Sequence, residues 1–189
     1  MREKVLTTTS GQKIYVYDDV FTPTEQYAFK RFAENSSFRV LKGSIGIEDY
    51  NVNTLFQSSY DENDMINFGI YRSPSVQELL EKHYSGLVNS QNWVIASNPA
   101  NKNYFHPDVE HTVPGAIVKT FLYYLNLKWD LNDGGETLFC DEHGDVEIAI
   151  SSKPNRVAVY DASILHKACS TDVDVRDLRF AFVSKWTNL

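Results

Sequence analysis

Residues 104–126 read YFHPDVEHTVPGAIVKTFLYYLN. A His-Pro-Asp triplet leads through a Pro-Gly loop into an apolar run with paired tyrosines, which has the composition of a strand. In extended backbone, residues i and i+2 face one side. His106 and Asp108 therefore put an imidazole and a carboxylate within reach of a single ion. Two ligands do not complete a transition-metal site. A third candidate ends the β-rich run Val157-Ala-Val-Tyr-Asp-Ala-Ser-Ile-Leu-His166, which a second strand can carry. Two histidines and one carboxylate, with positions left open, form a donor set suited to Fe(II).

Working outward, the strand Val118–Tyr124 has two faces, and Tyr124 shares its side with Leu122, Thr120 and Val118. A last strand, Arg179-Phe-Ala-Phe-Val183, sets Arg179 beside Ala181 and Val183. A guanidinium on a small, apolar face must pair with something. One of the chain's acids is one answer. The carboxylate of a ligand is the other, since the planar guanidinium matches it in bidentate geometry.

At these residues the chain resembles the Fe(II)/2-oxoglutarate dioxygenases, and among them the prolyl-4-hydroxylase-like group. The shared pieces run in order: His106-Pro-Asp108, Leu122-Tyr-Tyr-Leu-Asn126 with Trp129, and Gly134-Gly-Glu136. Lys153-Pro-Asn-Arg156, His166 and Arg179-Phe-Ala181 follow. Together they cover roughly residues 93–187 of a chain that reads as one domain, 1–189. The resemblance implies a mainly β fold with α: a double-stranded β-helix, or jelly roll, with N-terminal helices packed on one sheet. It also implies His106, Asp108 and His166 as ligands of Fe(II), although each histidine alone could equally serve packing. Arg179 and Tyr124 would hold the distal carboxylate of 2-oxoglutarate. Hydroxylation of a substrate C–H bond by O2 would release succinate and CO2, with ascorbate as a stimulant. The substrate stays open between a peptidyl proline, an amino acid and another small molecule.

One departure concerns the arginine. The family places its basic residue about ten positions after the second histidine, which fits Arg176. Arg179, thirteen positions on, is preferred because Arg-Phe-Ala-Phe resembles the family's strand. The carboxylate at Asp108 argues against a halogenase, where a small residue admits chloride. Two further readings stay open: a cupin-like metal enzyme that does not use 2-oxoglutarate, and a non-catalytic jelly-roll binding module. The first needs no carboxylate fork, so Arg179 and Tyr124 count against it; the intact His106, Asp108 and His166 set counts against the second.

Three more histidines read as structural. His83 falls on a helix face beside Leu79 and Leu80. His111 lies in the loop before Pro114, off the face of His106. His143 falls in the acidic turn Asp141-Glu-His-Gly-Asp145.

The N-terminal half carries the helices. Thr22-Pro-Thr-Glu25 has the form of a capping box with proline at the first helical position. Tyr27, Ala28, Phe32 and Ala33 follow at helical spacing, giving a helix to about Asn35. A second helix runs from Pro74 to Leu87, with Ser73 as its cap. Strands are expected at Lys13–Asp18, Phe38–Leu41 and Trp93–Ser97. Residues 1–12 are polar and expected to fray, and 43–67 give no pattern.

Composition sets the outer bounds. Aromatics reach 13%, which favours β-structure. The net charge of -7 argues against a binder of the phosphate backbone, so no nucleic-acid partner is expected. No apolar leader or spanning run occurs, and Cys140 and Cys169 read as free thiols. A cytoplasmic location follows, away from any membrane.

Overall fold

The computed structural model describes residues 1–42, 54–101, 103–108 and 115–188. Its strands are β1 (Arg2–Thr7), β2 (Lys13–Asp18), β3 (Arg39–Lys42), β4 (Thr54–Tyr60), β5 (Val88–Ser97) and β6 (Val118–Tyr124). After them come β7 (Thr137–Cys140), β8 (Val146–Ile150), β9 (Arg156–Asp161), β10 (His166–Ala168) and β11 (Arg179–Thr187). The helices are α1 (Pro23–Glu34), α2 (Glu62–Asn67) and α3 (Pro74–Tyr84).

Eight strands form one sheet in the order β1-β2-β9-β6-β11-β5-β4-β3, and β10-β7-β8 form a second. Every strand pair is antiparallel. Alternation along each large-sheet strand separates two cores. Val94, Phe121, Tyr123, Val157, Phe180 and Phe182 join the core built with Phe29, Ala33, Val76 and Leu79 of the helices. Leu122, Tyr124, Ala158, Tyr160, Ala181 and Val183 face Phe139 and Ile150 of the small sheet. Each large side chain so buried contributes about 1.5–3 kcal/mol. The result is a jelly roll with its helices on the outer face of the large sheet.

The helices start where their caps dictate. Thr22 Oγ1 accepts from the Glu25 amide at 3.3 Å, and Glu25 Oε2 accepts from the Thr22 amide at 2.8 Å. The buried face of α1 is carried by Phe29 and Ala33, while Tyr27 is 61% exposed. The helical phase therefore differs from the one expected: Phe29, one turn before Ala33, takes the inward position. Ser73 stands at the N-cap of α3 but makes no side-chain cap bond.

Residues 2–7 do not fray. They form an edge strand whose register runs from Arg2 opposite Asp18 to Thr7 opposite Lys13. Exposure leaves such a strand no apolar alternation to read; its order comes from the backbone ladder. In the unpatterned 43–67 region, β4 and α2 emerge. The six-residue α2 is opened by an Asp61/Asp64 capping box of two aspartates, less obvious in sequence than Ser or Thr with Glu. Residues 43–53, part of that region, and His111 lie outside the described residues.

Candidate active site

Facing positions across the ladder form rows on the inner side of the large sheet. One row holds Gln91, Lys185, Thr120, Tyr160 and Ile14. Four residues along the strands, another holds Ile95, Ala181, Tyr124, Arg156 and Asp18. The rows lie roughly 13 Å apart at the strand repeat. Charged and polar groups collect at these two levels. Leu122, Val183 and Ala158 occupy the level between.

At the first level, His106, Asp108 and His166 each offer a ligand atom, all within 4.8 Å of one another. Among the described residues no other cluster of three or more such side chains occurs. His106 and His166 form an isolated antiparallel bridge. Its two amide bonds measure 2.9 and 3.1 Å, and the Asp108 amide donates to the Ala162 carbonyl at 2.7 Å. Backbone ties thus place all three side chains.

Each imidazole is also oriented by its own chain. His106 Nδ1 lies 2.8 Å from the Tyr104 carbonyl, and His166 Nδ1 lies 2.8 Å from the Ile164 carbonyl. A carbonyl can only accept, so Nδ1 donates and Nε2 is the nitrogen left to face an ion. Burial holds His166 below the usual imidazole range, against the pull of Asp108. Phe139 stacks on it at 5.8 Å, and the Tyr160 hydroxyl lies 3.3 Å from its Nε2.

Asp108 is held from both sides. Thr120 Oγ1 donates to its Oδ2 at 2.7 Å, and Lys185 Nζ lies 3.2 Å from its Oδ1. Burial works to raise its pKa. The neighbouring His166, the Lys185 ammonium and the Thr120 hydroxyl outweigh that and keep it below the ordinary carboxylate value. Neither Thr120 nor Lys185 stood out as a site residue in the sequence. The signal was present: Thr120 shares the strand face of Tyr124, and Lys185 sits at an even offset from Arg179.

At the second level, Arg179 is 2% exposed. Its guanidinium carbon lies 5.2 Å from the centre of the Tyr124 ring, and Nε donates to Ser152 Oγ at 2.8 Å. Among the described residues no carboxylate comes within 4.0 Å of it. Burial lowers its pKa, with nearby Tyr124 opposing. The Tyr124 hydroxyl donates to Thr137 Oγ1 at 2.8 Å.

Motif residues around Arg179 do the placing. Asn126 brackets it: Nδ2 donates to the Leu178 carbonyl at 2.9 Å, and Oδ1 accepts from the Phe180 amide at 2.7 Å. Gly135, at φ +75°, leaves room for the shaft; a Cβ there would lie 2.6 Å from Arg179 Cδ. The Lys153–Arg156 turn serves elsewhere. Arg156 Nε and Lys153 Nζ bind Asp18 at 2.7 and 3.1 Å, and Asn155 holds the Phe21 backbone.

Arg176 is exposed in the loop before β11. His83 is 8% exposed and hydrogen-bonded to the Tyr17 hydroxyl at 2.6 Å, a packing role. His143 projects from the β7–β8 turn with 75% of its side chain exposed.

Solved structures share this architecture. A Trichoplax adhaerens prolyl hydroxylase, solved with a hypoxia inducible factor oxygen degradation domain peptide, superposes with a TM-score of 0.69 at 15% identity; the match covers 92% of this chain and 82% of that one. A Pseudomonas putida prolyl-4-hydroxylase gives 0.64 at 13% identity, covering 94% and 93%. A non-heme alpha ketoglutarate dependent carbocyclase from nogalamycin biosynthesis gives 0.64 at 11% identity, covering 94% and 80%. The fold is the one these oxygenases share. No family model and no curated protein matches the chain. Among the described residues, no helix is long and apolar enough to cross a membrane.

Proposed function

We propose that residues 1–189 form one Fe(II)- and 2-oxoglutarate-dependent dioxygenase domain that hydroxylates a small molecule or peptide. One observation carries this reading. A His-Asp-His cluster lies against Thr120, Tyr160 and Lys185 on the inner face of the large sheet, and Arg179, buried and among the described residues without a carboxylate partner, lies against Tyr124 on the same face. The oxygenase fold supports it.

The donor set fits the ion. Two imidazoles and one carboxylate suit Fe(II), and their Nδ1 bonds fix the orientation that coordination needs. His106, Asp108 and His166 would hold it. Bound Fe(II), with 2-oxoglutarate as reductant, supplies the O2 chemistry, and succinate and CO2 leave as a C–H bond becomes C–OH.

The chain's own residues do the rest. Arg179 takes the distal carboxylate of 2-oxoglutarate, and Ser152 and Tyr124 keep the guanidinium aimed. Leu122, Ala158, Ala181 and Val183 line the span between the levels and exclude water from it. Thr120 fixes one carboxylate oxygen of Asp108. His106, with 38% of its side chain exposed, marks the mouth through which substrate arrives. A metal enzyme that did not use 2-oxoglutarate would leave Arg179 buried beside no anion, at a cost of several kcal/mol. Two free cysteines suit a reducing, cytoplasmic compartment.

The test is succinate release by the purified protein with Fe(II), 2-oxoglutarate, O2 and ascorbate, omitting each in turn. Release is expected to need Fe(II) and 2-oxoglutarate and to rise with ascorbate. Absence of both succinate and metal-dependent 2-oxoglutarate binding would overturn the reading.

A further inference from the structure

Lys185 introduces a charge that the reaction so far does not use. It lies on the inner face of β11, six residues beyond Arg179, immediately before a bulge in the β11–β5 ladder. Its side chain is 12% exposed. The ammonium lies 3.2 Å from Asp108 Oδ1, donates to the Asp108 carbonyl at 2.8 Å, and sits 4.8 Å from the centre of the Trp93 ring. The site therefore holds two cations on one strand, Arg179 buried and Lys185 partly buried.

Their charges can be balanced, resting on the reading above. The distal carboxylate of 2-oxoglutarate neutralises Arg179. At the other level, two positive charges on the ion and one on Lys185 face one negative charge on Asp108 and one on the keto-acid end. One positive charge is left over. Such a charge in a poorly solvated place is costly without a counter-ion. Among the described residues no second carboxylate lies within 4.0 Å of Lys185.

The surroundings indicate what would bring that anion. Trp93 and Ile95 lie on the inner face of β5, next to Val183 and Ala181, and both remain partly exposed. On β4, Ser59 and Gln57 stand opposite them. Together they make an apolar strip with a polar border that begins beside the ammonium. We propose that Lys185 and Trp93 form the substrate subsite, which takes a carboxylic acid: its carboxylate on Lys185 and its apolar body on Trp93 and Ile95. The acid is a free small molecule or a peptide C-terminus.

Isothermal titration calorimetry on the Mn(II)-loaded full chain with 2-oxoglutarate tests this without turnover. The probes are pairs of acid and amide: N-acetyl-leucine, N-acetyl-proline and 3-phenylpropionate with their carboxamides, and short peptides with free or amidated C-termini. At least one acid should bind about tenfold or more tighter than its amide, as expected for one charge-assisted bond. Preference confined to the small acids, or extending to the peptides, identifies the source. Lys185→Met should lose the preference and Lys185→Arg should keep it. Equal binding of acid and amide, or no binding by any probe, overturns the assignment. So does a preference that survives Lys185→Met, or loss of Mn(II) binding in that variant, which would make Lys185 a holder of Asp108. Failure of Mn(II) or 2-oxoglutarate to bind the wild-type chain would instead sink the dioxygenase reading itself.

Discussion

The backbones of His106 and His166 grip each other: each amide donates to the other's carbonyl, at 2.9 and 3.1 Å. Residues sixty positions apart are thereby locked in register, and the imidazole geometry is set by main chain. Asp108→Ala should leave this bridge intact while removing the only anionic protein donor. Its Mn(II) affinity should fall by more than the about 10–100-fold that loss of an outer-shell partner costs. His143→Ala should stay within about threefold, as a surface substitution does. Calorimetric metal titration of both variants checks the pair, and unchanged affinity in Asp108→Ala would remove it from the site.

Arg179 and Arg176 separate by burial. Arg179→Ala should raise the Michaelis constant for 2-oxoglutarate about tenfold or more, through loss of a charge-assisted bond worth about 1.5–3 kcal/mol. Arg176→Ala should change it by less than about threefold, since exposed pairs contribute at most about 1 kcal/mol. Steady-state titration of 2-oxoglutarate decides, and the reverse order would move the role to Arg176.

Gly135 offers an independent handle on the same arginine. Gly135→Ala places a Cβ 2.6 Å from Arg179 Cδ and 3.3 Å from Ser152 Oγ, at a φ of +75°. The backbone cost alone is about 1–2 kcal/mol. Reduced thermal stability should accompany an increased Michaelis constant for 2-oxoglutarate, with Mn(II) affinity kept. A stable variant with wild-type kinetics would show that Arg179 does not need this space.

His83 should make stability pH-dependent. Burial, helped by Lys82 and Lys119, depresses its pKa to about 4 from an ordinary 6.5. Between those values the folded ring is neutral and the unfolded ring takes up a proton. Stability contributed by the neutral ring is therefore complete above about 6.5 and lost as pH falls towards about 4. Urea midpoints from pH 7 to 4.5 should fall less steeply in His83→Gln than in wild type. Parallel curves would show that His83 does not carry the dependence.

Much of this was legible in the sequence because extended backbone has a period of two. That alone placed His106 with Asp108, and Arg179 with Ala181 and Val183. The order of motifs indicated the jelly roll. Thr120 and Lys185 were not legible as partners of Asp108, because a polar residue near a strand end reads as solvated until the opposing loop is placed. Asn126 and Gly135 belonged to motifs whose purpose, bracketing and clearing space for Arg179, exists only in three dimensions. Strand β1 was hidden by its exposure. In α1 the choice of Tyr27 over Phe29 failed because aromatic residues sit on both faces of a short helix.

The two levels of the inner sheet face have a metric consequence. Arg179 and Lys185 stand six residues apart on one face of β11, so the strand repeat holds their Cα atoms roughly 20 Å apart. Trp93 and Ile95 pair with the residues between the two cations, and a one-residue slip of β11 would turn Arg179 and Lys185 together to the helix-packed face.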